Sequence, residues 1–465
     1  MRVLFTPYPS FAHLLPTVPL AWAFQSAGHE VRVAVHNSFV DSVTAAGLTA
    51  VPLGEPGSNE ARIRDDAEQP RGAEEVLHFA DVLGCTDAER EYWISFYQYF
   101  LLNVGDYVRL DLPEADELVE FAGSWRPDLV LWDPTMVGAA VAARTVGARQ
   151  ARILYSHDVF GWSLDRLKAR QEQVRAAGLP ENPMADIVRP LAEKYGVTVD
   201  DELLLGQWTV DPMPPGFGCE TSAELLHMRY VPYNGGGSFE KWLHERPERP
   251  RVALSLGEST RRFIPGDWDR LPRIMEALGQ IDVDVVATLI PLQMQDIERV
   301  PDNVHTVEWV PLTQLMPTCS AIVHHGGVGT FTSALACQVP QLVCDTEESV
   351  LLREEAPGVE SFSTYQAGRE FGVREKDAPA DEPQWILPAK GMIATPVSEY
   401  VIRRRAGVRL NHRTLTVEEI GKLILQVVND PAFREGAEAA YETWLATASP
   451  ADLVATFERL VRGAL

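Results

Sequence analysis

The sequence predicts an α/β protein of two Rossmann-like domains, each built on a parallel sheet, that face a central cleft. The chain has 465 residues, which is more than one ordinary hydrophobic core holds. Short Val-rich runs alternate with helical patterns in both halves, as parallel strands and their crossover helices do. Segments rich in Pro and Gly, at 211–218 and 231–250, separate the two halves.

The first half, residues 1–228, begins the alternation at once. Apolar runs predict strands at 3–8, 30–35, 48–53, 127–133 and 151–155. Helical patterns at 20–24 and 137–146 connect them, and Gly28 ends the first of these helices. Residues 74–121 break the rhythm with three helical patterns rich in aromatic residues, which predicts an appended helical block.

The second half repeats this organisation after a linker at 229–250. Within a second domain at 251–448, strands are predicted at 251–257, 282–289, 304–310, 321–324 and 341–345. The region 346–396 has little periodicity, and a loop this long inside a compact domain is usually functional. We expect an insertion there that becomes ordered when ligand binds. The last segment, 449–465, predicts a helix that crosses back to the first domain.

Charge and cysteine content exclude several classes of function. The net charge is −25, which argues against nucleic acid or an anionic membrane as a partner, because phosphate contacts need clustered Lys and Arg. The five cysteines are scattered without CxxC pairs, so neither a disulfide framework nor a zinc site is indicated. No apolar stretch approaches the ~20 residues that span a bilayer, and Pro7 and Pro9 interrupt any signal-peptide region. We expect a cytoplasmic protein.

The most informative segment is 323–330, with the sequence VHHGGVGT. The apolar run at 319–323 predicts a strand, and 330–337 predicts a helix. Glycines at such a turn let a phosphate approach the unpaired N–H groups and partial positive charge of the helix N-terminus. The spacing is neither GxGxxG nor GxxxxGK[ST]. We interpret the segment as a diphosphate site for a nucleotide-sugar; the alternative is a Gly-rich turn with no ligand.

On these residues the chain resembles the GT-B glycosyltransferases, and more closely the bacterial enzymes that attach deoxysugars from dTDP-sugars to macrolide or anthracycline aglycones. The matching stretches are 11–34, 124–144, 229–236, 247–260, 308–335 and 415–437. The most specific of them is 308–335, EWVPLTQLMPTCSAIVHHGGVGTFTSAL. The resemblance implies an inverting glycosyltransferase that moves a deoxysugar from dTDP to a hydroxyl of a polyketide-type aglycone.

The resemblance also implies the catalytic residues. His13 falls where the family keeps its catalytic base, and Asp133 falls where related enzymes keep the acid that orients it. A sugar-accepting hydroxyl is a poor nucleophile until a base removes its proton, and an Asp partner fixes the histidine tautomer. Taken alone, His13 has the alternative interpretation of a helix-capping or solvated histidine. Apolar residues within 155–162 are expected to shape the aglycone pocket.

The donor site follows from the same match. His325, Gly327 and Gly329 fit the HxGxG pattern, and Trp309 falls where the nucleobase stacks on an aromatic ring; a core tryptophan is its alternative. Asp345 falls near the position of the acidic residue that contacts the donor sugar. The predicted donor-binding residues are Gly257, Ser259, Trp309, His325, Gly326, Gly327, Gly329, Thr330 and Asp345.

No metal ligand and no cofactor are predicted, with the dTDP-sugar as co-substrate. Asp282 and Asp284 spell DxD, a metal signature of another glycosyltransferase fold, but they open the strand DVDVVATL and are expected to be solvated. The helix start at the glycine turn would stabilise the leaving dTDP instead.

Two other functions stay open at this point. One is a nucleotide-sugar epimerase, and the other is a non-catalytic homologue with a binding or scaffolding role. The resemblance also implies a partner, a helper protein similar to a cytochrome P450, which would dock on the helical block at 74–121. The alternative for the aromatic residues of that block is that they form its own core.

Overall fold

The computed structural model describes residues 1–55, 73–238, 240–245, 247–257, 270–295, 297–346, 350–351, 364–366, 369–371, 386–387 and 394–463. Ser259 and most of the predicted insertion at 346–396 lie outside these residues. Among the described helices, none is long and apolar enough to cross a membrane.

The described part of the first half forms a seven-stranded parallel sheet in the order β3-β2-β1-β4-β5-β6-β7. Its strands are β1 Arg2–Thr6, β2 Glu30–His36, β3 Ala50–Leu53, β4 Leu129–Trp132, β5 Arg149–Ile153, β6 Trp208–Asp211 and β7 Leu225–His227. The predicted strands are confirmed, whereas β6 and β7 were not predicted.

Helices cover both faces of this sheet. Along the chain they are Phe11–Leu14, Val18–Ser26, Val40–Ala45, Ala73–Leu83, Asp87–Ile94, Leu101–Asp106, Pro113–Trp125, Gly138–Val146, Val159–Ala169, Gln171–Ala176, Pro183–Lys194 and Asp201–Leu205, with a π-helical turn at Ser95–Phe100. In β4, Val130 and Trp132 enter the core shared with the helical block, while Leu129 and Leu131 enter the core on the opposite face. Because both faces are buried, the strand is a continuous apolar run.

The helical block contains four described helices and the π-helical turn, where three helical patterns were predicted. The aromatic residues that predicted it, Trp93, Phe96, Tyr97 and Phe100, are buried in the core on that face of the sheet. Trp93 and Tyr97 stack with ring centroids 5.1 Å apart. These residues are therefore the block's own core and are not an exposed surface.

The described part of the second half forms a six-stranded parallel sheet in the order β10-β9-β8-β11-β12-β17. Its strands are β8 Arg251–Ser255, β9 Asp284–Thr288, β10 Val304–Val307, β11 Ala321–His324, β12 Gln341–Cys344 and β17 Gly407–Leu410. Along the chain, two short antiparallel pairs of strands follow β12 and precede β17. They are β13 Val350–Leu351 with β16 Ile386–Leu387, and β14 Thr364–Gln366 with β15 Arg369–Phe371. The helices are Arg270–Gly279, Pro291–Met294, Leu312–Leu315, Val328–Ala336, Ala394–Arg403, Val417–Asn429, Pro431–Leu445 and Pro450–Arg462.

The last helix, Pro450–Arg462, packs on the first domain. Leu453, Val454 and Phe457 join the core beneath β1 and β2, and Phe457 contacts Phe24 with ring centroids 6.1 Å apart. Trp444 Nε1 donates to the Tyr230 carbonyl at 3.0 Å, which ties the preceding helix to the segment between the sheets. The chain end thus couples the two halves through apolar burial.

Candidate active site

Two polar side chains meet at the carboxyl-terminal edge of the first sheet. His13 lies in the short helix Phe11–Leu14 after β1, and Asp133 directly follows β4. β1 and β4 are adjacent parallel strands, so the loops after them lie side by side. His13 Nδ1 and Asp133 Oδ2 are 2.5 Å apart, and both side chains are buried. The structure brings the predicted base and its predicted partner into contact.

Asp133 is held by hydrogen bonds to its other oxygen. Oδ1 accepts from the Thr135 backbone N–H at 2.9 Å and from the Thr135 hydroxyl at 2.7 Å. A carboxylate only accepts, so Nδ1 of His13 carries the hydrogen, and Nε2 is the basic nitrogen of the neutral ring. In the described residues Nε2 has no hydrogen-bond partner.

Two aromatic rings pack near the His13 imidazole. The Tyr155 ring lies 3.7 Å from the His13 ring, centroid to centroid, and the Tyr8 ring lies 5.1 Å away. Burial, and next the charge of Asp133, hold the pKa of the Tyr155 hydroxyl well above its usual range. Tyr155 therefore stays neutral near pH 7.

A small cavity, partly open to solvent, lies next to this pair. Tyr155 lines it, and so does Pro134, the residue after Asp133. The other lining residues are Phe100, Leu154, Ser156, His157, Val159 and Phe160. They include part of the segment 155–162 that was expected to shape the aglycone pocket. The walls are predominantly apolar, which suits a hydrophobic ligand.

The glycine turn follows β11 in the second sheet. The helix begins at Val328, two residues earlier than the sequence predicted, with Gly327 at the N-cap and no side-chain cap hydrogen bond. Gly326 has a φ of +86°, and a Cβ there would lie 2.6 Å from the Ala394 Cα, so only glycine fits. Without a side-chain cap, the first N–H groups of the helix are available to an anion.

His325 sits between two glycines. A Cβ at either Gly257 or Gly327 would overlap its ring, so the ring keeps this position because both neighbours are glycine. Nδ1 lies 3.5 Å from the Ser255 carbonyl, which is at the long limit of a hydrogen bond and does not fix the tautomer. Burial, and next the charge of Arg270, lower the pKa of His325 to about 4. The ring is therefore neutral near pH 7.

The neighbouring His324 has a structural place. It is fully buried, and its Nδ1 accepts from the Gly326 backbone N–H at 3.2 Å. Burial lowers the pKa of His324 to about 3. His324 thus supports the turn from within the domain, whereas Thr330 is buried in the helix that follows.

Trp309 is the exposed aromatic residue of the predicted donor site. It is 53% exposed, which excludes its alternative interpretation as a core tryptophan. Gly237 lies against the ring, since a Cβ there would be 2.9 Å from Trp309 Cη2. An exposed indole that packs against Gly237 is suited to stacking with a planar base.

Asp345 is fully buried at the end of β12. Its carboxylate accepts from the Thr395 hydroxyl at 3.0 Å, the Ser398 hydroxyl at 2.6 Å and Arg409 Nε at 2.9 Å. These contacts tie β12 to the helix Ala394–Arg403 and to β17. The structure therefore gives Asp345 an internal anchoring position, and its predicted contact with the donor sugar stays a prediction.

Sequence reasoning did not single out several residues of this site. Thr135 orients Asp133, Tyr8 packs on His13, and Ser156 lines the cavity. Their residue types carry no chemical signature, and only the fold brings them together. In the described part of the chain, no group of three or more His, Cys, Asp or Glu side chains could hold a metal ion. Asp282 and Asp284 instead contact Arg249 at 3.4 and 2.5 Å.

The two parallel sheets, with the His13–Asp133 pair on one and the glycine turn on the other, define a GT-B glycosyltransferase. Solved structures agree. The chain is similar to the spinosyn forosaminyltransferase SpnP, with a TM-score of 0.74, 30% identity and coverage of 99% of both chains. It is equally similar to the glycosyltransferase VinC, solved in complex with dTDP, with a TM-score of 0.74, 29% identity and full coverage of both chains.

The chain belongs to the erythromycin biosynthesis protein CIII-like family. The model of the family's N-terminal domain matches residues 22–257, and that of its C-terminal domain matches residues 272–359. A similar relative is the 10-deoxymethynolide desosaminyltransferase of Streptomyces venezuelae, 34% identical over 99% of this chain and 97% of the relative. The aclacinomycin-T 2-deoxy-L-fucose transferase of Streptomyces galilaeus is 33% identical over 99% of this chain and 96% of that protein.

These relatives decide among the functions that the sequence left open. Their names describe sugar transfer, and the match spans nearly the whole chain. The protein is a glycosyltransferase, and this activity is favoured over an epimerase or a non-catalytic scaffold.

Proposed function

We propose that the enzyme transfers a deoxysugar from a dTDP-sugar to a hydroxyl of a polyketide-type aglycone, with inversion at the anomeric carbon. The observation that carries this proposal is the buried His13–Asp133 contact beside an apolar cavity. The names of similar proteins support the substrate classes: besides the 10-deoxymethynolide desosaminyltransferase, the chain is similar to an aklavinone 7-beta-L-rhodosaminyltransferase of Streptomyces galilaeus and a tylactone mycaminosyltransferase of Streptomyces fradiae.

In the proposed reaction, Nε2 of His13 removes the proton of the acceptor hydroxyl as its oxygen attacks the anomeric carbon. The bond between that carbon and the diphosphate oxygen breaks, and dTDP leaves with the electron pair. Asp133 stabilises the imidazolium that forms. A single displacement of this kind inverts the anomeric configuration, because attack and departure occur on opposite faces.

The leaving group would bind at the glycine turn. The unpaired N–H groups at the start of the helix Val328–Ala336 face the charge that develops on the diphosphate, and His325 adds a hydrogen bond. Trp309 would stack on the thymine. Gly257, Ser259, Gly326, Gly327, Gly329 and Thr330 complete the proposed donor site.

The test is a reaction of the purified enzyme with TDP-daunosamine, the donor named for a similar transferase of Streptomyces peucetius, and each of the aglycones 10-deoxymethynolide, aklavinone and tylactone. Mass spectrometry should detect a glycoside, and chromatography should detect an equal amount of dTDP. Release of dTDP at the same rate without any aglycone would indicate hydrolysis and would contradict the proposed transfer.

We expect the reaction to proceed without a divalent cation, because helix N–H groups and His325 are proposed to carry the diphosphate charge. Addition of excess EDTA to the enzyme should leave the rate of dTDP release unchanged, and addition of Mg²⁺ should not raise it. Loss of activity in EDTA that Mg²⁺ restores would contradict this prediction.

The resemblance also supports a proposed helper protein that docks on the helical block. Since the aromatic core of the block is buried, such a contact would use its exposed residues, such as Leu110, which is 46% exposed. Co-expression with the P450-like protein of its pathway should raise soluble yield and turnover together, because binding to the folded state stabilises it by mass action. If the isolated enzyme has full turnover and co-expression does not change it, the proposed dependence on a helper protein is excluded.

A further inference from the structure

Ser156 has an unusual position in the wall of the cavity. It is one of the residues that line the cavity, and the side chain is 5% exposed. Its hydroxyl is buried and has no hydrogen-bond partner among the described residues. A buried hydroxyl without a partner destabilises a folded protein, so such groups persist mostly where a ligand or water completes them.

The cavity places this hydroxyl close to the proposed chemistry. Ser156 follows Tyr155, whose ring contacts the His13 ring at 3.7 Å. Phe100 and Phe160, which also line the cavity, stack with centroids 5.2 Å apart and present apolar surface. The part of a ligand that reaches into this cavity would meet apolar walls and only a few polar groups, which then fix its orientation.

We propose that the Ser156 hydroxyl determines acceptor specificity by hydrogen bonding to an oxygen of the aglycone other than the attacked hydroxyl. This inference rests on the proposed function, because it assumes that the aglycone occupies the cavity. The class of acceptor it selects is an apolar molecule with a second oxygen, a hydroxyl or carbonyl, near the reacting hydroxyl. A serine hydroxyl serves both cases, since it donates to a carbonyl and accepts from a hydroxyl.

The chain offers a matched control in Ser163, in the helix Val159–Ala169. Its hydroxyl is also buried without a partner among the described residues, but Ser163 is not among the residues that line the cavity. Ser156→Ala and Ser163→Ala each remove one unsatisfied hydroxyl from the free protein. Both variants should therefore melt at the same temperature as the wild type or above it.

The experiment is calorimetric titration of 10-deoxymethynolide, aklavinone and tylactone into each protein saturated with dTDP. For the acceptor that binds the wild type best, Ser156→Ala should weaken binding by about threefold to tenfold, as expected for one neutral hydrogen bond. Ser163→Ala should leave it unchanged, and both variants should bind dTDP like the wild type. In turnover assays, Ser156→Ala should raise the KM for the acceptor and leave the KM for the donor unchanged.

Three outcomes would overturn the proposal. Equal acceptor binding by Ser156→Ala and by the wild type would exclude the proposed hydrogen bond between Ser156 and the aglycone, while the proposed function would stand. Equal weakening in Ser163→Ala would show that the loss comes from packing. Failure of all three aglycones to bind the wild type would overturn the proposed acceptor class, and the Ser156 contact with it.

Discussion

His13→Ala is expected to lower turnover by about 100-fold or more while dTDP binding stays nearly intact. The substitution removes Nε2, the nitrogen that is proposed to take the acceptor proton. It leaves the glycine turn unchanged, because His13 belongs to the first domain and the turn to the second. The measurements are the rate of aglycone-dependent dTDP release and the calorimetric affinity for dTDP.

Two further variants separate base catalysis from a structural effect. Asp133→Asn keeps the shape of the side chain but removes the charge that stabilises the imidazolium, so it should also lower turnover and spare dTDP binding. His305→Ala removes an exposed imidazole of the second domain and should have no effect. Wild-type turnover in His13→Ala would exclude His13 as the base.

The fold was largely predictable because most of its central strands are buried on both faces. β1 and β4 are short apolar runs, each followed by a proline-containing loop, and such runs are what periodicity detects. β7 was not predicted from the sequence because it has only three residues, Leu225–His227, at the edge of the sheet, where part of the strand is exposed. The run of apolar residues that identifies a strand in the sequence is less distinct where the strand is only partly buried.

From the sequence, the proposed site was reached through the family resemblance, together with the acid–base chemistry that histidine and aspartate carry. His13 and Asp133 are 120 positions apart in the chain, and they meet because each follows one of two adjacent strands. Ser156 and Thr135 have no such signature, and their roles depend on which segments pack around them. Asp345 is the converse case. The resemblance implied a sugar contact, which stays a prediction, and only the fold shows that Arg409 and Ser398, far along the chain, contact its carboxylate.

His325→Ala is expected to weaken dTDP binding by about tenfold to a hundredfold. Since its pKa is lowered to about 4, the imidazole is neutral near pH 7 in the free enzyme. The hydrogen bond is nevertheless charge-assisted, because the phosphate acceptor is ionised, and such bonds contribute about 1.5 to 3 kcal/mol. The loss should appear directly in the calorimetric dissociation constant for dTDP.

His325→Asn is the matched variant for this prediction, because its amide can still donate a hydrogen bond to phosphate. It should bind dTDP more tightly than His325→Ala, and turnover should follow the same order, since the diphosphate is also the leaving group. His13→Ala, by contrast, should lose turnover and keep dTDP binding. This difference between the two variants would assign the two histidines to different steps of the reaction. Unchanged dTDP affinity in His325→Ala would mean that the diphosphate binds away from the glycine turn.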